Sequence, residues 1–206
     1  MEQIYRLRFE VYCRECGFIK EKDYPEGKEK DQYDAQSRHF VAINFYGEVI
    51  GTLRMIFPGP LELPIQKYCP DVHFENGILY TEISRFIISR RLRRRANDRL
   101  YYEPQVEDKK MSSGNNDFLR RALPMAFGLY KKMYQESKRC GITHWYTLME
   151  KELWLLLRIH GFKFASIGQE VDVYGPVRPY LGNVLEIEQE VQKKFPQFFH
   201  YFMEES

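Results

Sequence analysis

The sequence lacks any long hydrophobic run. No stretch approaches 18 consecutive apolar residues, so no transmembrane helix is expected. It also lacks an apolar signal core at its start, where Met1-Glu-Gln-Ile-Tyr-Arg-Leu-Arg8 runs at once into charge, and the expected address is the cytoplasm. Cysteine is scarce. Cys13, Cys16, Cys69 and Cys140 do not make a disulfide scaffold, and Cys13-x-x-Cys16 has no second ligand pair at zinc-site spacing. Reduced structural thiols and no metal are the expectation. There is no Gly-x-x-x-x-Gly-Lys-Ser/Thr loop, no Gly-x-Ser-x-Gly elbow and no His-Glu-x-x-His pair. The five histidines are scattered, and His39, just ahead of a strand, is the one to watch. One-signed charge is missing as well: 31 Lys and Arg against 29 Asp and Glu leave +2, which argues against a general nucleic-acid binder unless positive charge gathers locally.

Aromatic residues are what the chain has in excess. Fifteen Tyr, fifteen Phe and two Trp make up 16%, which excludes disorder for most of the sequence. Its 206 residues, against roughly 150 per domain, predict one domain over 1–206. Helical spacing of Ile4, Leu7, Val11 and Phe18 predicts a helix over 4–18. A charged, turn-rich segment follows over 20–38. Strands are then expected at His39–Tyr46 and Val49–Phe57, joined by a two-residue turn at Gly47-Glu48. Pro58, Pro60, Pro64 and Pro70 leave room for at most a short helix. Ile78–Ser89 is the strongest strand, and residues 96–117 read as a loop. Phe118–Cys140 is a long amphipathic helix, with Leu119, Leu123, Ala126, Phe127, Tyr130 and Tyr134 along one stripe. A strand at Ile142–Met149, a helix at Lys151–His160, one or two strands in Phe162–Tyr174 and a last helix near Val184–Lys194 complete the pattern. The expected class is α/β (α+β): a central mixed sheet flanked by helices, in the order of an N-acyltransferase (GNAT-like) sheet.

Several charges stand where a core would not want them. Glu29, Asp31 and Asp34 crowd one six-residue stretch. Arg54 interrupts the apolar strand Gly51–Ile56, and Glu82 and Arg85 interrupt the strand that begins at Ile78. Buried charge is costly unless paired, so these groups are expected to meet one another, as a site or as a network that only fixes the fold. Side chains alternate along a strand, so Glu82 and Arg85 share one site only if the strand bulges between them.

Taken with Arg8 and Val11-Tyr12, the spacings Glu29-x-Asp31-x-x-Asp34, Arg54 and Glu82-x-Ser84-Arg85-Phe86 resemble the signature of acyl-homoserine-lactone (autoinducer) synthases. Tyr12 and Phe18 depart from the Phe and Trp usual there, residues associated with the S-adenosylmethionine and acyl pocket, which weighs against lactone synthesis. Glu82-Ile-Ser-Arg-Phe followed by Arg93-Arg-Arg95, Gly128-Leu-Tyr-Lys, Gly141-Ile-Thr-His-Trp-Tyr, Met149-Glu-Lys and Tyr174-Gly-Pro-Val-Arg-Pro-Tyr180 resemble the PEP-CTERM/exosortase system-associated acyltransferases more closely. That bacterial group is related to long-chain N-acyl amino acid synthases. The resemblance implies a GNAT-like fold and transfer of a fatty acyl group from an acyl carrier protein thioester (or acyl-CoA) to the amine of a small molecule. It implies no permanently bound cofactor, and a product that can associate with membranes. It also marks Arg8, Tyr12, Phe18, Ser84 and Phe86 as substrate-positioning residues.

Aminolysis of a thioester needs a neutral amine, an oxyanion donor and a base. Glu29 and Glu82 are the candidate bases. Arg54 and Arg85 would hold those carboxylates or an acceptor's carboxylate, while Asp31 and Asp34 could bind the amine or lock the arginines. Arg85, Arg90, Arg91, Arg93, Arg94, Arg95 and Arg99 put seven positive charges into fifteen residues. No glycine-rich turn for a pyrophosphate accompanies them, and Arg90–Arg95 suits docking of an acidic carrier protein. A non-catalytic module binding an acidic protein or nucleic acid through that cluster is the alternative of another class, without a recognition motif to support nucleic acid.

Overall fold

The computed structural model describes residues 1–89 and 114–203. Arg90, Arg91, Arg93, Arg94, Arg95 and Arg99 lie outside the described residues. Helix α1 (Glu2–Phe9) runs on as a π-helical turn, Glu10–Glu15, in which the Cys16 N–H reaches back five residues to Val11 (2.9 Å). Ile4, Leu7, Phe9 and Val11 are buried, and Gly17 ends the segment at φ +68°, where a Cβ would be strained.

The charged segment that follows holds a 3-10 turn, Gln32–Gln36, closed by a reciprocal cap. The Tyr33 N–H donates to Asp31 Oδ1 (3.0 Å) and the Asp31 N–H donates to Asp34 Oδ2 (2.9 Å). Strands β1 (Ser37–Ile43) and β2 (Val49–Ile56) come next. Their connection is longer than the two-residue turn expected at Gly47-Glu48. It spans 44–48, because the Asn44 side chain accepts from the N–H groups of Tyr46 and Glu48, both at 2.9 Å.

Helix α2 (Pro64–Tyr68) is the short helix that the prolines permit, with Pro64 in its first turn. Strand β3 (Tyr80–Ile88) leads to the undescribed stretch, and α3 (Gly114–Arg139) begins inside the segment expected to be loop. Then come β4 (His144–Met149), α4 (Lys151–Ile159), β5 (Ala165–Ser166), β6 (Val171–Asp172) and β7 (Pro176–Asn183). The chain closes with α5 (Val184–Lys194), capped by Asn183 on the Leu185 and Glu186 N–H groups, and α6 (Pro196–Met203).

The sheet is mixed and seven-stranded, in the order β1-β2-β3-β4-β7-β5, with β6 also on β7. Strands β3 and β4 are parallel across Tyr80–Ile83 and His144–Thr147, while β7 is antiparallel to β4 from His144↔Asn183 to Met149↔Arg178. Strand β7 was not expected, since Pro176, Pro179 and Gly182 disguise it. Pro179 falls one position past the β5 ladder, which ends at Ser166↔Tyr180, and its carbonyl accepts the Ile167 N–H (3.1 Å).

The chain divides into two compact units. One comprises Met1–Glu29, Val41–Thr52 and the described part of Phe86–Tyr130; the other comprises Lys30–Phe40, Leu53–Arg85 and the described part of Lys131–Ser206. In the first, Leu7, Val11 and Ile87 form a small core with Tyr12, Cys16 and Val49 against it. In the second, Tyr33, Ile56, Leu63, Ile65, Cys69, Val72 and Tyr146 pack with Phe74 and Tyr80. Trp145 is also fully buried there, and its Nε1–H donates to Ser137 Oγ (2.9 Å). Among the described residues, no helix is long and apolar enough to cross a membrane, and none of the four cysteines is in a disulfide.

Gly182 has a packing reason to lack a side chain. A Cβ there would stand 2.7 Å from Phe164 Cε1 and 3.0 Å from Ile187 Cδ1. Gly182→Ala is expected to destabilise by ~1–3 kcal/mol, the usual cost of overpacking, read as a lower urea midpoint with an unchanged slope.

Candidate functional site

Arg54 explains why a charge interrupts an apolar strand. Its side chain has no exposed surface, and it is matched from two directions. Nη1 donates to Asp31 Oδ1 (2.6 Å) and Asp34 Oδ1 (2.8 Å), and Nε donates to Ser84 Oγ (3.0 Å). Nη2 is buried without a hydrogen-bond partner among the described residues. The other oxygen of Asp31 accepts from Arg85 Nη2 (3.0 Å), so one carboxylate bridges two guanidinium groups. His39 Nε2 stands 3.6 Å from Asp34 Oδ1, close enough for an ion pair when the imidazole is protonated and too far for a direct hydrogen bond. Asp31 and Asp34 reach Arg54 because the capped 3-10 turn holds both side chains on one short arc.

Strand β3 departs from regular geometry at Arg85. Arg85 has φ +51°, a left-handed conformation inside a strand, which costs a non-glycine residue ~1–2 kcal/mol. The ladder with β4 stops at Ile83↔Thr147, two residues earlier. Consecutive residues of a regular strand face opposite ways, yet Ser84 bonds Arg54 and Arg85 bonds the Asp31 that holds Arg54. The Arg85 guanidinium also lies 6.0 Å from the centre of the Tyr174 ring.

Glu82 sits two residues before Ser84 and is 1% exposed. Its Oε2 accepts the Ile65 N–H (2.9 Å) at the start of α2. Burial pushes this carboxyl up to about 8, although the Ile65 N–H and the charges of Arg54 and Arg85 act to lower it. Cys69 nearby is raised as well, first by burial and then by the charge of Glu82.

The remaining candidates among the described residues lie in the other compact unit. Arg8 and Glu29 are both buried and form an ion pair through Arg8 Nε and Glu29 Oε2, and the Glu29 N–H donates to the Tyr5 carbonyl (3.0 Å). The rings of Tyr12 and Phe18 are 6.1 Å apart, and Phe86 lies 5.4 Å from Tyr130. The structure therefore gathers Asp31, Asp34, Arg54, Glu82, Ser84 and Arg85 in one unit, and Arg8, Tyr12, Phe18, Glu29 and Phe86 in the other. Sequence reasoning did not assign two neighbours of the first group to the site: the Ile65 amide, which no side-chain pattern can signal, and Tyr174, which entered only as the first residue of the Tyr174–Tyr180 stretch that carries the resemblance.

The acetyltransferase (GNAT) domain family matches residues 7–103. Among solved structures, TofI in a ternary complex with an inhibitor and MTA superposes with a TM-score of 0.65 at 15% identity, covering 93% of this chain and 86% of that one. BjaI, a CoA-dependent acyl-homoserine lactone synthase with SAM and isopentyl-CoA, gives 0.62 at 17% identity, over 96% and 81%. FeeM, an N-acyl amino acid synthase from uncultured soil microbes, gives 0.58 at 15% identity, over 96% and 90%. No curated protein matches the chain. The fold is GNAT-like.

Glu82 makes stability depend on pH. Its folded value lies above the ordinary carboxyl value of 4.5, so the neutral acid is favoured on folding. That contribution is complete below about 4.5 and is lost as pH rises towards about 8, with a limiting slope of ~1.4 kcal/mol per pH unit. Urea midpoints of the wild type are expected to fall between pH 6 and 8, and Glu82→Gln is expected to flatten that fall.

Proposed function

We propose that the protein is an N-acyltransferase that moves a fatty acyl group from an acyl carrier protein thioester to the amine of an amino acid or a related small molecule. The observation that carries this reading is Glu82, a buried carboxyl near 8, on the strand that Arg85 breaks. A base works best when its pKa lies near the operating pH, and an ordinary carboxylate is too weak to take a proton from an ammonium. Glu82 meets that requirement through burial. Glu29, the other candidate, is held by the Arg8 guanidinium and is assigned a positioning role.

In this mechanism the acceptor ammonium passes a proton to ionised Glu82 and becomes nucleophilic. Its nitrogen attacks the thioester carbon, the C–N bond forms and the C–S bond breaks. The proton that leaves the amine neutralises the departing thiolate. Asp31 and Asp34 hold Arg54 in place, and Arg85 is the cation for an acceptor's carboxylate, with 15% of its side chain exposed. The names of FeeM and BjaI support acyl transfer as the reaction class. BjaI also favours a second reading, an acyl-homoserine lactone synthase using S-adenosylmethionine, against which Tyr12 and Phe18 weigh. Acyl carrier protein is preferred to CoA as donor because of the Arg90–Arg95 run in the sequence.

The test is mass spectrometry of products after the protein is mixed with acyl-loaded carrier protein, or acyl-CoA, and a panel of amino acids that includes S-adenosylmethionine. N-acyl amino acids are the expected product. Turnover is expected to rise with pH through about 8 in the wild type, and Glu82→Gln should lose that limb and ~10²–10⁴ of the rate. No product with any amine or donor, together with salt-sensitive binding to an acidic partner, would overturn the reading in favour of a binding module.

A further inference from the structure

Among the described residues, only two non-glycine residues have positive φ: Arg85 at +51° and Tyr174 at +60°. They are 89 residues apart in the chain, yet the guanidinium of one lies over the ring of the other, 6.0 Å from its centre. Tyr174 caps the turn between β6 and β7, whose last rungs are Asp172↔Pro176 and Val171↔Val177. Two hydrogen bonds close the turn. The Gly175 N–H donates to Asp172 Oδ1 (3.0 Å), the Val173 N–H donates to the Gly175 carbonyl (3.0 Å), and Gly175 takes the second left-handed position.

Glycine or asparagine would suit the backbone at 174 better than tyrosine. What the tyrosine adds is a ring, 39% exposed, beside the one partly exposed guanidinium that the described residues bring to the Asp31 carboxylate. Arg54, the other cation there, has no exposed surface and cannot meet a solute without rearrangement. An acceptor whose carboxylate paired with Arg85 would stand beside the Tyr174 ring.

We propose that Tyr174 is the specificity-determining residue for the acceptor, and that the Arg85–Tyr174 pair selects an α-amino acid by carboxylate and side chain together. The ring favours apolar or aromatic side chains through area and edge contacts. This rests on the acyl-transfer reading, and the test separates the two.

The experiment compares wild type, Tyr174→Phe and Tyr174→Gly in acyl transfer to L-phenylalanine, L-leucine, glycine and S-adenosylmethionine. In parallel, calorimetric titration measures L-phenylalanine binding without any thioester, with phenethylamine as the control that lacks a carboxylate. Tyr174→Gly is expected to fold, because the relieved left-handed backbone offsets part of what the lost ring contacts cost, and its Tm is measured alongside. Its KM for L-phenylalanine should rise by about tenfold, with kcat and the thioester KM unchanged, while Tyr174→Phe stays near wild type. L-phenylalanine should bind the wild type more tightly than phenethylamine does. Equal phenylalanine KM and Kd in wild type and Tyr174→Gly would overturn the assignment. A preference for S-adenosylmethionine that Tyr174→Gly leaves intact would overturn it too. Phenylalanine binding weakened by Tyr174→Gly in a protein that transfers no acyl group would keep the amino-acid clamp and discard the transfer reading.

Discussion

A guanidinium taken wholly out of water has to be surrounded by anions and acceptors, and much of the second compact unit is arranged to meet that demand for Arg54. Desolvating such an ion costs several kcal/mol even after relaxation, and removing one partner of a buried pair typically costs ~3–5 kcal/mol. Asp31, Asp34 and Ser84 supply the compensation from two other segments. The 3-10 turn at Gln32–Gln36, the end of β2 and the middle of β3 are thus tied by one cation. The reciprocal cap at Asp31 and Asp34 gives the same carboxylates a backbone role, so the turn and the ion pairs stabilise each other.

That arrangement also sets Glu82 apart from the other three carboxyls of the proposed mechanism. Asp31 and Asp34 are held by arginine side chains, and Glu29 is held by Arg8. Glu82 is different: its hydrogen bond comes from a backbone amide, and Arg54 and Arg85 act on it only through their charge. Burial therefore wins, and the carboxyl rises to about 8 instead of falling as a salt-bridged acid does. The same two arginines that stabilise the aspartates thus leave Glu82 without a direct ion pair among the described residues, which is what the proposed proton transfer asks of it.

Much of this was legible in the sequence because it violated local rules. Arg54, Glu82 and Arg85 interrupt apolar runs, and a buried charge advertises a partner. The identity of the partner was not legible. Arg8 and Glu29 are 21 residues apart and Arg54 and Asp31 are 23 apart, with the same side-chain chemistry in both pairs. Only the fold separates the two pairs, so acid and arginine could be expected to meet without knowing which met which. Strand β7 was hidden for a related reason. Its prolines and glycine contradict strand propensity, and it persists because six cross-strand pairs with β4 and close packing at Gly182 outweigh that propensity. The turn at 44–48 depended on one asparagine side chain, which composition alone does not reveal.

The break at Arg85 shows how a small deviation changes what a strand can present. With strict alternation, Glu82 and Ser84 would share a face, and Arg85 would leave it. One left-handed residue, at a cost of ~1–2 kcal/mol, returns Arg85 to the carboxylate that Arg54 already holds. The deviation is stable because the Asp31 bridge fixes the guanidinium once it arrives. Strain and ion pair are therefore one device. A regular strand would remove the cost, but it would also take Arg85 away from the Asp31 carboxylate that Arg54 holds.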